Sequence, residues 1–275
     1  MTDDSTLPSF ERPPVNEVVL SVAFDRPLGF GIAHIGDFWH RRLRQELPEV
    51  EEQPPYQPPV EVLGSPSPAV MNIQLLDRPP SPRLWAKSAD GTKLVQLQAN
   101  WFASNWRDAP DSTSPYPRWP ALEELFLVRL HQLVGYLAEE GFGDLTPRQC
   151  EVTYINQIRP GAVWADHSDL DKVLTLVGSP SEFLPHLESL QMTTTYRMRD
   201  AGEVDRGRLH VSVQPAFQRE DNVPIIILTL VSRGEPIGAG EDGMLQFLRM
   251  GHEWAVRGFA AVTTTAMHEE WGRRT

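Results

Sequence analysis

Residues 149–158 have the sequence QCEVTYINQI, a predicted strand with which the order of elements begins a second time. The first pass contains a strand at 16–25, a short helix at 35–46, three strand candidates at 70–76, 83–88 and 93–106, and a long helix at 119–140. The second pass continues with strands at 191–199, 209–217 and 223–232 and a closing helix at 243–271. A strand, a short helical or loop segment, further strands and one long helix therefore occur twice.

Two hydrophobic periods identify these elements. From Val18 to Phe24 apolar residues recur at every second position, which is typical of a strand with one solvent-exposed face. The helix at 119–140 has apolar residues spaced three and four apart, namely Leu122, Phe126, Leu130, Leu133 and Leu137. Asp90-Gly91 predicts a tight hairpin between two of the strands.

These patterns predict an α+β fold. We expect a single domain over residues 15–275 with two similar halves, at about 15–145 and 146–275, joined in one antiparallel sheet. Because both long helices have an apolar stripe, they should pack on the same face of that sheet. Residues 1–14 are predicted to be a flexible N-terminal arm, and residues 48–68, with seven prolines, a stiff connector between two elements.

Composition narrows the possible functions. The 275 residues include 25 Lys and Arg against 37 Asp and Glu, a formal net charge of −12, so nucleic-acid binding is not expected. No apolar run has the length of a membrane span, so no membrane partner is expected either. The single cysteine, Cys150, is compatible with a reducing compartment, and we predict a cytoplasmic protein.

Four segments, at 13–25, 84–98, 152–158 and 251–256, together resemble a sporadically distributed prokaryotic protein family of roughly this length. Tyr-Ile-Asn-Gln-Ile at 154–158 is the most characteristic piece. The resemblance covers nearly the whole chain and implies a bacterial cytoplasmic protein with one family-wide fold. It brings no established activity and no functional residue to this sequence.

Aromatic and amide side chains on two strands are the candidate binding residues. Trp101, Trp106 and Arg107 end one strand, and Tyr154 and Asn156 lie on the strand that opens the second half. Such a set could line a pocket or an interface, or it could pack between sheet and helix.

The densest polar cluster is WADHSDLD at 164–171. Asp166 and His167 could supply an acid/base pair or hold a metal for a hydrolase, or Asp166 could cap a helix. The spacing matches no calcium loop or zinc motif, and we predict no cofactor and no metal.

Three aromatic residues of the closing helix, Trp254, Phe259 and Trp271, point in two directions around it and are predicted to form an interface. The leading hypothesis is therefore a non-catalytic binding module that recognises a protein partner, a second copy of the chain or a small molecule. The hydrolase at Asp166 and His167 is the alternative.

Overall fold

The computed structural model describes residues 7–25, 27, 29–64, 82–109, 115–179, 181–184, 187–219 and 221–275. The strand predicted at 70–76 lies outside these ranges.

The described residues form a mixed α+β structure around one nine-stranded antiparallel sheet. Its strands are β1 (Val15–Phe24), β2 (Glu49–Gln53), β3 (Arg83–Lys87), β4 (Lys93–Gln98), β5 (Trp101–Arg107), β6 (Pro147–Ile158), β7 (Met192–Arg199), β8 (Asp205–Phe217) and β9 (Pro224–Gly234). They are arranged in the order β2-β3-β4-β5-β1-β6-β9-β8-β7. The helices are α1 (Ile32–Phe38), α2 (Arg118–Glu139), α3 (Leu170–Val173), α4 (Gly240–Val262) and α5 (Thr265–Glu270).

The opening strands of the two predicted halves meet at the middle of the sheet. β1 pairs with β6, and Val22 faces Cys150 across that pair. β5, the last strand before α2, lies beside β1, while β9, the last strand before α4, lies beside β6. The strand predicted at 223–232 thus occupies the same position relative to β6 that β5 occupies relative to β1.

Three predicted boundaries were wrong. The strand expected at 93–106 is two strands, β4 and β5, because the chain turns at Ala99-Asn100. The closing helix ends at Val262, since Thr263 and Thr264 are extended, and the Thr264 hydroxyl then accepts a hydrogen bond that caps α5. Glu49–Gln53 forms an edge strand within the predicted connector, in a stretch that contains no proline.

Contacts from α2 and α4 locate the core. The ring of Phe126 in α2 lies 5.7 Å from that of Phe102 in β5. On α4, a Cβ added to Gly251 would lie 3.2–3.3 Å from Ser232 and Val152, so the glycine allows the helix to approach β9 and β6 closely. We call the side of the sheet that carries Phe102 and Val152 the helix face.

Residues 7–14, predicted to belong to a flexible arm, instead pack against the C-terminal residues. Phe10 is only 5% exposed and packs edge-on against Phe259 and Trp271, at 5.5 and 6.0 Å. Backbone hydrogen bonds from Glu11 to Gly272 and from Arg274 to Ser9 tie this segment to the C-terminal residues. Apolar burial by Phe10 therefore orders the segment, and it leaves Phe259 and Trp271 covered within their own chain rather than available for an interface.

Within the ranges that the structure describes, none of the helices combines the length and apolarity that crossing a membrane requires.

Candidate functional site: an aromatic cavity between the arm, α2, β6 and α4

A cavity of about 400 Å³ opens on the helix face where four segments meet. Residues 7–10 form one wall, the start of α2 another, and β6 and α4 provide the base. We call it the aromatic cavity, because its lining includes Phe10, Tyr116, Trp119, Tyr154 and His252. Its volume lies within the usual range for small-molecule sites.

Trp119, His252 and Tyr154 form the base of the cavity. The rings of Trp119 and His252 are almost parallel, with centroids 4.2 Å apart and planes 4° apart. Nδ1 of His252 lies 2.9 Å from the hydroxyl of Tyr154, which is also buried. Burial lowers the pKa of His252 to about 3, because the charged imidazolium would lose its hydration there. His252 is therefore neutral at physiological pH.

Local structure explains the position of each of these three side chains. Tyr154 lies on β6 two residues after Val152, so it points to the helix face. His252 follows Gly251, a glycine at which α4 lies close to Ser232 of β9 and Val152 of β6. Trp119 lies in the first turn of α2, where its indole nitrogen donates to Glu123 at 3.0 Å.

Glu123 also connects the two long helices beside the stack. Its carboxylate accepts hydrogen bonds from the guanidinium of Arg249 on α4, at 2.6 to 3.1 Å. The charged pair therefore fixes α2 and α4 relative to each other on the side of Trp119.

The entry of α2 has an unusual backbone. Arg118 has a φ of +67°, which side chains other than glycine seldom adopt. Its guanidinium donates to the Phe10 carbonyl at 2.9 Å and lies 5.3 Å from the ring centre of Tyr116. This strained residue thus joins the arm to the cavity wall, and strained backbone is common at binding sites.

The structure divides the predicted binding residues between the two sides of the sheet. Tyr154 and Asn156 line the cavity, and Trp106 packs behind Tyr116, with ring centres 5.2 Å apart. Trp101 and Arg107 point to the opposite side. Residues five apart on a strand face opposite sides, and therefore Trp101 and Trp106 cannot share one site.

Asn156 is held in place by the sheet itself. Its side-chain amide donates to the carbonyl of Leu228 at 3.0 Å, in the neighbouring strand β9. This bond orients the amide at the edge of the cavity.

Sequence reasoning missed Trp119 and His252. His252 lies within the apolar stripe of α4, between buried Leu248 and Ala255, and that pattern could have identified a histidine directed at the core. Trp119, at the helix entry, gave no comparable signal.

The cluster around Asp166 and His167 serves local structure. The Asp166 carboxylate accepts hydrogen bonds from the amide and hydroxyl of Ser168, at 2.8 and 2.5 Å, and caps a short 3₁₀ turn. These bonds lower the pKa of Asp166. His167 is buried, with Nε2 3.1 Å from the Ile225 carbonyl and its ring 5.0 Å from that of Phe217. The two side chains thus have separate partners.

A metal site and a reactive cysteine are the other kinds of chemistry to consider among the described residues. No group of three or more His, Cys, Asp or Glu side chains converges there as a metal ion would require. Cys150 is fully buried, and burial raises the pKa of its thiol far above the ordinary value, which opposes thiolate formation.

Comparison of the chain with protein-family models, with curated proteins and with solved structures finds no match in any of the three.

Proposed function

We propose that the protein is a non-catalytic binding module and that the aromatic cavity takes a small, planar, uncharged molecule with a hydrogen-bonding edge. The observation that carries this proposal is the stack of Trp119 on His252 above the Tyr154 hydroxyl. Aromatic faces favour flat ligands, and a neutral imidazole and phenol hydroxyls favour polar but uncharged groups.

Charge at the entrance supports the same ligand class. Arg118 and Arg274 lie at the lining, but Arg118 already donates to the backbone of Phe10. Arg274 lies 3.9 Å from the carboxylate of Glu11. Because both guanidinium groups have partners at the arm, we expect neutral ligands to bind better than anionic ones of the same shape.

The test is a tryptophan-fluorescence titration with a panel of planar heteroaromatic compounds. A binding compound should quench the native protein saturably, and Trp119→Leu should weaken its binding at least about tenfold. Trp85→Phe is the matched control, since Trp85 lies on β3 and donates to Gln96 on the sheet face away from the cavity. Equal weakening by both substitutions, or no saturable compound in the panel, would count against the cavity as a ligand site.

We also propose that the protein self-associates through Trp254, one of the three predicted interface residues. Trp254 is half-buried and lines a second cavity, of about 570 Å³, together with Tyr196, Leu209 and Arg257. We propose that a second copy of the chain covers this surface, and that Trp254→Ala shifts the protein towards monomer in light scattering. A native protein that is monomeric at high micromolar concentration would contradict this part.

We further propose that the two halves are structurally similar units whose long helices share the helix face. In support, Phe102 on β5 pairs with Val22 on β1, and Val22 pairs with Cys150 on β6, so the three side chains lie on one side of the sheet. Val152 lies two residues after Cys150 and faces the same side. Phe126 of α2 contacts Phe102, and Gly251 of α4 lies close to Val152. The single buried cysteine supports a further proposal, action in the bacterial cytoplasm.

A further inference from the structure

Residues 54–62, which we call the strap, cross the side of the sheet opposite the helix face. The strap lies between β2 and β3 and has the sequence PPYQPPVEV. It contacts Gln98, Trp101 and Gln149, which belong to one cross-strand row through Ala23. Trp101 precedes Phe102 on β5, so this row points away from α2.

Two glutamine side chains bind the strap through its backbone. The amide of Tyr56 donates to Gln98 Oε1 at 2.8 Å, and Gln98 Nε2 donates back to the Tyr56 carbonyl at 2.9 Å. Gln149 makes the same kind of pair, accepting from the Glu61 amide at 2.8 Å and donating to the Pro59 carbonyl at 2.6 Å. Paired bonds to backbone recognise an extended segment irrespective of most of its side chains.

An aromatic ring anchors the first part of the strap. The ring of Tyr56 lies 4.8 Å from that of Trp101. The guanidinium of Arg83 lies 5.5 Å from the centre of the Tyr56 ring and 5.9 Å from that of Trp101. Arginine beside two rings contributes through cation–π attraction.

A carboxylate anchors the other end. Glu61, with a nearly fully buried side chain, lies between three basic residues of β8 and β9: Arg208 at 2.6 Å, His210 at 2.5 Å and Arg233 at 3.3 Å. Arg208 also donates to the Val62 carbonyl at 2.9 Å. Burial alone would raise the pKa of Glu61, but the hydrogen bonds from His210 and Arg208 outweigh it and lower the pKa to about 2.

The sheet contributes its own counter-charge to this site. Arg233 pairs with Glu151 of β6 at 2.6 Å, and Glu151 accepts from the hydroxyl of Thr153 at 3.0 Å. Arg208 pairs with Glu61 of the strap. The carboxylate of Glu61 thus joins the basic residues of the sheet to the strap.

The apolar side chains of the strap contribute little to a core. Val60 is 77% exposed and Val62 is 60% exposed. The segment is held instead by its backbone, one ring and one carboxylate, which are the contacts by which a protein surface holds an extended peptide. Its four prolines reduce the entropy lost on binding, since they favour the extended conformation beforehand.

We propose that this face of the sheet is a peptide-recognition groove that the strap occupies as an intramolecular ligand. A partner protein would displace the strap with an extended, proline-rich segment that has an aromatic residue five positions before a glutamate, the spacing of Tyr56 and Glu61. A tethered ligand has an effective concentration of roughly millimolar, so the native chain binds such segments weakly until the strap is released. This inference is independent of the aromatic cavity.

The test uses a synthetic peptide of residues 52–63, EQPPYQPPVEVL, and a matched peptide in which the tyrosine is alanine and the glutamate is glutamine. The full-length Tyr56→Ala/Glu61→Gln protein has a weakened strap and an unchanged groove. By calorimetry or fluorescence anisotropy it should bind the first peptide at least about tenfold more tightly than the native protein does. The matched peptide should bind it at least about tenfold more weakly.

Circular dichroism and a urea transition establish that the variant is folded. If the double variant does not fold, Glu61→Gln alone serves in the same titration, with an expected gain of about threefold in affinity over the native protein. A folded variant that shows no binding of the first peptide up to about millimolar concentration, or that binds both peptides equally, would overturn the proposal. Either result would reduce the strap to a structural connector.

Discussion

The two sides of the sheet hold their polar groups by opposite means. In the aromatic cavity His252 is buried in its neutral form, and its ring stacks on that of Trp119. On the strap side, Glu61 is buried in its charged form because Arg208, Arg233 and His210 surround it. Burial thus lowers the pKa of His252 and keeps it neutral, whereas the basic residues around Glu61 outweigh burial and keep its carboxylate charged.

The largest difference should come from removing matched tryptophans on the two sides. Trp119→Ala removes a buried ring that stacks on His252 and should lower the free energy of unfolding by about 3–5 kcal/mol. Trp85→Ala, on β3, should cost clearly less, since Trp85 is only half-buried. Urea denaturation at neutral pH measures both, and equal losses would show that the stack adds no stability.

The pH dependence should separate the two sides next. The folded-state pKa of His252 lies below its unfolded value, so the unfolded chain binds the extra proton and stability falls as the pH decreases from about 6.5 towards 3. The slope from this group approaches about 1.4 kcal/mol per pH unit. His252→Gln should therefore flatten the stability profile between about pH 6 and 4. An unchanged profile would mean that folding does not lower the pKa of His252.

Glu61 should act in a lower range. Its folded-state pKa is also lowered, so its stabilisation is present above the unfolded value near 4.5 and is lost as the pH falls towards 2. Glu61→Gln should cost about 1–2 kcal/mol at neutral pH, because one charged acceptor of Arg208 is replaced by a neutral one. It should flatten the profile below about pH 4.5. An unchanged profile in that range would show that the basic neighbours do not hold Glu61 in its charged form.

The smallest effect should come from a residue on neither site. Asp166→Ala removes the side chain that caps the 3₁₀ turn and should lower the denaturation midpoint only slightly. Ligand binding should remain within a few-fold of the native value, and so should any hydrolytic activity found in the native protein. A loss of orders of magnitude in a folded protein would support the hydrolase hypothesis instead.

Local patterns predicted the elements better than their ends. The alternation from Val18 to Phe24 and the stripe of α2 correspond to observed elements, because each reflects burial of one face. The turn at Ala99-Asn100 was missed, since the polar and apolar alternation continues across it. The end of α4 at Thr263 and Thr264 was not predicted either, although β-branched residues weaken helices.

The candidate site was only partly predictable. Tyr154 and Asn156 could be identified from the polar pattern of β6, and the parity of Trp101 and Trp106 could have separated the two sides. The stack of Trp119 on His252 joins residues far apart in the sequence, and so does the contact of Glu61 with Arg208. Such pairings depend on the strand order, which local periodicity does not determine.

The central claim is that the aromatic cavity and the strap side are separate binding surfaces, and one double-mutant titration tests it. A compound that quenches the native protein would be titrated into Trp119→Leu, Glu61→Gln and the combined variant. We expect at least about a tenfold loss of affinity from Trp119→Leu, an unchanged affinity in Glu61→Gln, and no coupling in the combined variant. A comparable loss in Glu61→Gln would contradict the claim.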